Sequence, residues 1–346
     1  MLISTILLIS IFFTYLSKYK NARFFLNLAF ILLVVFWGIR YDFGNDYSVY
    51  LYNFNLINSD SKGALNFEFG WILLNKLFSG LGFSYLVFFV TIFQFYSIYF
   101  YLTHYVKSEY RWLVLLFYAI NISLMIHSLS GMRQTIAMSF FVFVLHYVYE
   151  RKYIPCIIIL FLAAQFHSSA YFMLILPIVR YILDLKKIVY IYLLLAIFIV
   201  CFVFKDTVML LTTLSLQFED VSKYENYLDQ SDSSYSGNGL GILLQLIVLI
   251  ILLINDRHEK TIDNLLLKLY QISFVFVPLY TILPIFNRIQ MYFLLLGLGG
   301  TPMLIKVAKK NLLFFVVIIL YFLMMLLSFK SVLSSGPYSI YQTILD

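Results

Sequence analysis

Charge is scarce in this chain: only 12% of its 346 residues are Asp, Glu, Lys or Arg, while 62% are hydrophobic. An ordinary soluble domain carries about 25% charged residues to keep its surface in water, so a water-solvated globule is excluded and lipid is the expected solvent. Cysteine is nearly absent. The two present, Cys156 and Cys201, lie inside apolar runs without pairing or metal-ligand spacing, which excludes a disulfide framework and a zinc site. No HExxH, Walker A, GxSxG or CxxC pattern occurs, so zinc-protease, NTPase and serine-hydrolase readings have no support. There is no internal repeat. The net charge of +7 comes without a basic stripe, because the Lys and Arg residues stand singly or in twos and threes at the ends of apolar runs. That placement is an orientation signal and does not suit nucleic acid.

What the chain has in abundance is apolar runs. Twelve are candidate spans: 2–16, 24–39, 83–103, 112–127, 134–149, 153–166, 168–183, 188–204, 239–254, 265–284, 289–305 and 311–327. A membrane-crossing helix needs roughly 20 apolar residues, so the expected fold is all-α: a polytopic integral membrane protein of about 12 transmembrane helices, with 1–346 as one membrane-embedded domain. The first run has no basic residue before it and no small-residue cleavage site after it, and reads as a retained span.

Threading the runs alternately through a bilayer collects 16 of the 24 basic residues on one side, from Lys18, Lys20 and Arg23 to Lys306, Lys309 and Lys310. By the positive-inside rule that side is cytoplasmic and both termini are outside. Two long segments then face outward, 40–82 and 205–238. Within the first, the Gly-broken stretch Phe67 to Leu81 is too short for a span and reads as an interfacial or re-entrant helix. The second reads as a long loop. Aromatic residues make up 20% of the chain, and interfacial belts and lipid packing account for most of them.

Polar residues kept beside hydrocarbon are functional candidates, since each charge there costs about 2.5–3.5 kcal/mol at a helix centre. Four outward clusters qualify. Arg40, Asp42, Gly44, Asp46 and Tyr47 follow the second run, where two carboxylates beside a glycine bend suit a hydroxyl-rich ligand or a general base; a solvated helix stop is the plainer account. Asn66, Glu68 and Trp71 lie on the short helix, as a sugar-facing pair or an interfacial anchor. His127, Ser128, Ser130, Gly131, Arg133 and Gln134 open an inward-running span whose free amides and positive dipole, with Arg133, suit phosphate; a snorkelling arginine is the alternative. His167, Ser168 and Ser169, with Asn287 and Arg288, mark two more inward-running starts, where a histidine also serves as a simple cap. Arg133, His167 and Arg288 thus share a depth, and two arginines with amide ends can hold a diphosphate without metal.

The segments RYDFGNDYSVYLYNF, NFEFGWILLNKLFSGLG, SLSGMRQTIAMSFFVFVLHYVYERK, FLAAQFHSSAYFMLILPI and NRIQMYFLLL, in that order from about residue 38 to 305, resemble the EpsG/Wzy family of bacterial polysaccharide polymerases. The resemblance implies a GT-C-like membrane glycosyltransferase that polymerises oligosaccharide repeat units carried on undecaprenyl diphosphate at the outer face of the cytoplasmic membrane. Its implied partners are that lipid-linked oligosaccharide, membrane lipid and a chain-length regulator protein, with no cofactor.

The expected chemistry is metal-independent glycosyl transfer. Arg133 and Arg288 are assigned to the diphosphate, with Arg40 as a third donor. His167 or Asp46, with Glu68 behind them, is assigned as the base that deprotonates the acceptor hydroxyl. Asp42, Tyr47, Trp71 and Gln134 are assigned to the sugar. Two rivals remain open: a flippase or transporter of lipid-linked oligosaccharide, and an O-antigen ligase or membrane acyltransferase.

Overall fold

The structure is a computed structural model that describes residues 2–19, 21–59, 67–203, 239–257, 259–280, 285–334 and 336–346. The expected loop 205–238 and Asn66 lie outside the described residues, as do the side chains of His127, Ser128 and Cys201. The described chain is helical apart from one two-stranded ladder. It divides into two compact units, one of residues 1–177 and 325–346 and one of residues 178–324.

The first unit begins with the helical hairpin α1 (Leu2–Leu16) and α2 (Ala22–Gly38), followed by β1 (Arg40–Tyr41). Two short helices, α3 (Tyr47–Asn58) and α4 (Phe69–Leu77), precede the long α5 (Phe83–Tyr105). Nine residues of helix rise only about 13–14 Å, so α4 is too short to cross about 30 Å of hydrocarbon. It packs sideways instead: Tyr50, Phe54 and Ile57 of α3 bury against Trp71 and Leu74 of α4 and Phe83, Leu86 and Val87 of α5.

The apolar run 112–127 does not form one helix. It is split into α6 (Arg111–Ile120) and α7 (Ile122–Ser130) at Asn121, whose backbone turns extended and whose side-chain oxygen accepts from Leu124 N–H at 3.1 Å. That is the local competition an Asn offers a helix backbone. The antiparallel pair α8 (Met132–Tyr149) and α9 (Tyr153–Ala164) follows. The run 168–183 is also not a regular α-helix. It is 3-10 over Ser168–Ile175, a single α turn α10 (Leu176–Val179), then 3-10 over Arg180–Asp184. Pro177 contributes at the centre of the run, because it lacks an N–H and its ring clashes with an α-helical carbonyl at Met173.

The second unit contains α11 (Lys187–Val203), α12 (Gly239–Asn255), α13 (Ile262–Val275), α14 (Val277–Tyr280), α15 (Ile285–Gly297) and α16 (Pro302–Ala308). α13 and α15 are in close contact because Gly297 lies on the Tyr270 backbone and Gly300 on that of Leu267; a Cβ on Gly297 would sit 2.3 Å from Tyr270 N. Small residues permit such approach between helices in lipid. The second unit also buries an ion pair, Lys268 with Asp256, each side chain fully enclosed. α17 (Leu312–Leu333) supplies residues to both units, and β2 (Gln342–Thr343) returns to the first, pairing antiparallel with β1.

Among the described residues, Phe83–Tyr105, Ile262–Leu279 and Leu312–Leu333 are long and apolar enough to cross a bilayer, and Phe286–Gly300 with Pro302–Ala308, bent by 57°, make a fourth. The bend falls at Gly300, Thr301 and Pro302, residue types that break helices. Five more apolar helices, including α1, α2 and α9, are shorter. Large apolar side chains stand in the open along these helices: Leu312 is 78% exposed, and Ile154 and Leu240 are each 75% exposed. Water does not tolerate contiguous apolar surface of this kind, whereas lipid does. The protein is an all-α membrane protein.

Candidate functional site

α2 and α9 end, and α5 and α8 begin, at one end of the first unit. Lys18, Arg23, Lys107, Arg111, Arg151 and Lys152 stand at the other ends of these helices, in the connections or the first turns that follow them. Asp42, Asp46, Glu68, Arg133 and His167 lie at the opposite, less basic end.

Glu68 is the node. It precedes α4 in extended backbone, with φ −61° and ψ 142°. Its place is set by the next turn: Gly70 N–H donates to the Gln165 carbonyl at 2.8 Å, and a Cβ on Gly70 would lie 2.7 Å from that oxygen. Only glycine lets the start of α4 come so near the end of α9. From there the Glu68 carboxylate reaches three groups. Arg133 Nη1 donates to Oε2 at 2.5 Å, Ser168 N–H donates to Oε1 at 3.0 Å, and His167 Nδ1 stands 3.5 Å from Oε1. The Glu68 and His167 side chains are 9% and 8% exposed, while Arg133 keeps 26%.

Burial pushes the Glu68 carboxyl upward, but the adjacent His167 ring and Arg133 charge outweigh it and hold the carboxyl at about 2. Opposite charge and hydrogen bonds to the ionised form are the cause. A carboxylate so acidic, with both oxygens engaged, is a poor proton acceptor near neutrality and a good tether. Arg133 also lies over the Phe67 ring, 5.4 Å from its centroid, with the Tyr50 side chain beside it.

Arg40 is placed differently. It is 1% exposed, and its amino groups donate to the Trp37 carbonyl at 2.6 Å, to Thr91 Oγ1 at 2.7 Å and to the Leu129 carbonyl at 3.1 Å. Burial lowers it to about 10, which leaves it cationic. It ties α2, α5 and α7 together, and its enclosure takes it away from the open-donor role expected of it. Next to it, Asp46 N–H donates to Ser130 Oγ at 3.1 Å, so the loop after β1 is fixed to the break from which α8 and Arg133 begin.

The remaining sequence candidates divide in the same way. Asp42 is exposed, with a left-handed backbone at φ 43°, and Asp46 and Gln134 are half-buried. Tyr47 and Trp71, assigned to the sugar, are 4% and 0% exposed and serve the packing of α3 and α4; the exposed ring beside them is Tyr41, at 46%. Arg288 belongs to the second unit and Arg133 to the first. Sequence reading missed Tyr50, Phe67 and Thr91 as partners of the arginines, since none carries a charge or a motif. Among the described residues, no three His, Cys, Asp or Glu side chains meet in a metal-binding group.

One carboxylate thus gathers an arginine from the start of α8 and a histidine and a backbone amide from the segment after α9. The EpsG family profile matches residues 23–343, nearly the whole chain. The chain belongs to the EpsG family. EpsG proteins form a Wzy-like family of polysaccharide polymerases, so this chain has a polysaccharide-polymerase type of function, a glycosyltransferase-like activity in polysaccharide biosynthesis. No curated protein and no solved structure matches it. All the segments that build the Glu68 node lie within the matched EpsG region.

Proposed function

We propose that this EpsG-family protein transfers a growing glycan from undecaprenyl diphosphate to the nonreducing-end hydroxyl of a new lipid-linked repeat unit, at the outer face of the bacterial cytoplasmic membrane. The observation that carries the reading is the Glu68 carboxylate joining Arg133 to His167. In the step, the acceptor oxygen loses its proton and attacks the anomeric carbon. The bond from that carbon to the diphosphate oxygen breaks, and undecaprenyl diphosphate departs with the electron pair. Charge develops on the leaving diphosphate, so a positioned cation is the largest stabilising effect to be expected.

Arg133 is the residue for that task. Glu68 engages one of its five N–H donors, and the planar fork leaves others for a phosphate oxygen. His167 is the base: with Nδ1 turned to Glu68, Nε2 is the nitrogen that takes the acceptor proton. Glu68 fixes both partners and does not itself exchange the proton. Asp42, Asp46 and Gln134 serve the acceptor sugar. The gathering of basic residues at the far end of the first unit supports an outward-facing site by the positive-inside rule.

The test is reconstitution of the purified protein in liposomes with lipid-linked repeat units. A ladder of longer glycans that disappears with Arg133→Ala or His167→Ala supports the proposal. Units that cross the bilayer unextended identify a flippase, and transfer to a lipid A core without extension identifies a ligase.

A further inference from the structure

Segment 336–346 is a short stretch of mixed character that follows α17, and nothing in its sequence marks it as part of a site. In the structure it lies across the loop that carries Asp42 and Asp46. β2 pairs with β1 in the register Arg40 to Thr343 and Tyr41 to Gln342. Ile344 N–H donates to the Ile39 carbonyl at 2.9 Å, and Gly44 N–H donates to the Pro337 carbonyl at 3.2 Å. The Tyr341 hydroxyl donates to the Phe36 carbonyl. Its ring stacks on Phe36 with centroids 4.3 Å apart and 14° between planes, and it meets Trp37 and Phe43 edge-on. Tyr338 closes the same aromatic cluster against Phe43, and Trp37, Phe43 and Tyr338 are all buried.

The loop held in this way is not one that would keep its shape alone. Asp42 and Gly44 both have positive φ, 43° and 101°. A non-glycine residue in the left-handed region persists where its surroundings over-determine it. On the inner side the surroundings are Ser130 and Leu129, bonded to Asp46 and Arg40. From the other side the 336–346 segment bonds to the loop through Ile344 and Pro337 and packs on it through Tyr338 and Tyr341. The acidic loop is therefore clamped between the helix break that launches Arg133 and a strap from far later in the chain, as the 305-residue separation of Tyr341 and Phe36 records.

We propose that segment 336–346 is a positioning strap of the polymerase site, with Tyr341 its principal residue, and that it sets acceptor binding by holding Asp42 and Asp46 toward the incoming repeat unit. The proposal rests on the reading of those two carboxylates as acceptor-side groups. Tyr341 touches no substrate and acts through the loop. The strap accordingly governs how well the acceptor binds and leaves the Glu68, Arg133 and His167 node as it is.

Two measurements on the full-length protein in nanodiscs test this, using Tyr341→Phe, Tyr341→Ala and Ile344→Pro. The first is amide hydrogen exchange. In Tyr341→Ala and Ile344→Pro, the 40–47 backbone should exchange about tenfold faster or more, as hydrogen bonds and packing are lost, while 67–68 and 165–168 keep the wild-type rate. Tyr341→Phe, which retains the stack, should lie between. The second is polymerisation with a preformed lipid-linked chain as fixed donor and a fluorescent single repeat as titrated acceptor. KM for the acceptor should rise about tenfold with kcat within about twofold of wild type. Unchanged exchange over 40–47, or a fall in kcat at constant KM, overturns the strap. Wild-type protein that extends no acceptor overturns the polymerase reading, and the exchange result then still decides whether the strap holds the loop.

Discussion

Glu68 Oε2 lies 2.5 Å from Arg133 Nη1, joining two residues 65 positions apart in the chain. With His167 Nδ1 3.5 Å from the other carboxylate oxygen, Glu68 makes Arg133 and His167 neighbours, and most of the consequences that can be measured start from it.

Removing the guanidinium removes the proposed diphosphate contact. Arg133→Ala should lower kcat/KM by about 10²–10³, the usual loss for a positioned donor in a transition state, with protein still found in the membrane. Arg133→Lys should recover little, because a single ammonium cannot serve the carboxylate and a phosphate oxygen with the same planar fork. Wild-type chain lengths from either variant would remove Arg133 from the mechanism.

His167 and Glu68 differ in the part each plays, and a pH profile separates them. His167→Ala should cost about 10²–10⁴ in rate and abolish the rising limb of the pH–rate curve. Glu68→Gln keeps shape and loses charge. It should lower the rate while the limb set by His167 survives, displaced. A profile that loses its rising limb in Glu68→Gln but keeps it in His167→Ala would make Glu68 the base.

Glu68 also makes stability depend on pH in a stated direction. Its carboxyl falls from the ordinary 4.5 to about 2 in the folded protein, so the unfolded state binds the proton more readily. The contribution is fully present above about 4.5 and is lost as pH falls toward 2. Thermal unfolding in detergent should show wild type more stable than Glu68→Gln at pH 7, with the gap narrowing below about pH 4.5. A gap that widens on acidification contradicts the assignment.

Arg40 should behave as a structural residue. Arg40→Ala leaves the Trp37 and Leu129 carbonyls and the Thr91 hydroxyl without their donor, at a cost of about 3 kcal/mol or more for several bonds to a charged group. The expected result is reduced membrane-inserted protein, measured by quantitative blotting, with a smaller reduction for Arg133→Ala, whose partner Glu68 keeps the Ser168 amide and His167. Normal levels of Arg40→Ala with lost activity would return Arg40 to the diphosphate.

Gly70→Ala tests the approach of α4 to Gln165 without touching a charged group. The added methyl would stand 2.7 Å from the Gln165 carbonyl oxygen, so α4 must retreat and carry Glu68 with it. A destabilisation of about 1–3 kcal/mol, the usual range for overpacking, should accompany a loss of activity exceeding that of Ala at exposed Leu73. Full activity would mean that Glu68 is not held by this contact.

The residues by themselves determined the solvent, the helical class and where polar segments interrupt the apolar runs, because each of these follows from local quantities. Lipid demands apolar runs whatever their order, and charges that interrupt such runs announce themselves. Arg133, His167 and Glu68 were each visible as costly residues at the margins of apolar runs. Which of them meet was decided only by the tertiary structure. The sequence treats Arg40 and Arg133 alike, as basic residues beside a polar turn, yet one is sealed by three acceptors, two of them on distant helices, and the other keeps a partly open face. The same holds for the bend at Asn121, the 3-10 passage around Pro177 and the strap centred on Tyr341. An ion pair or a strand pairing between segments a hundred or three hundred residues apart leaves no periodicity behind it; its energy comes from desolvation and fit among groups that become neighbours only when the helices pack.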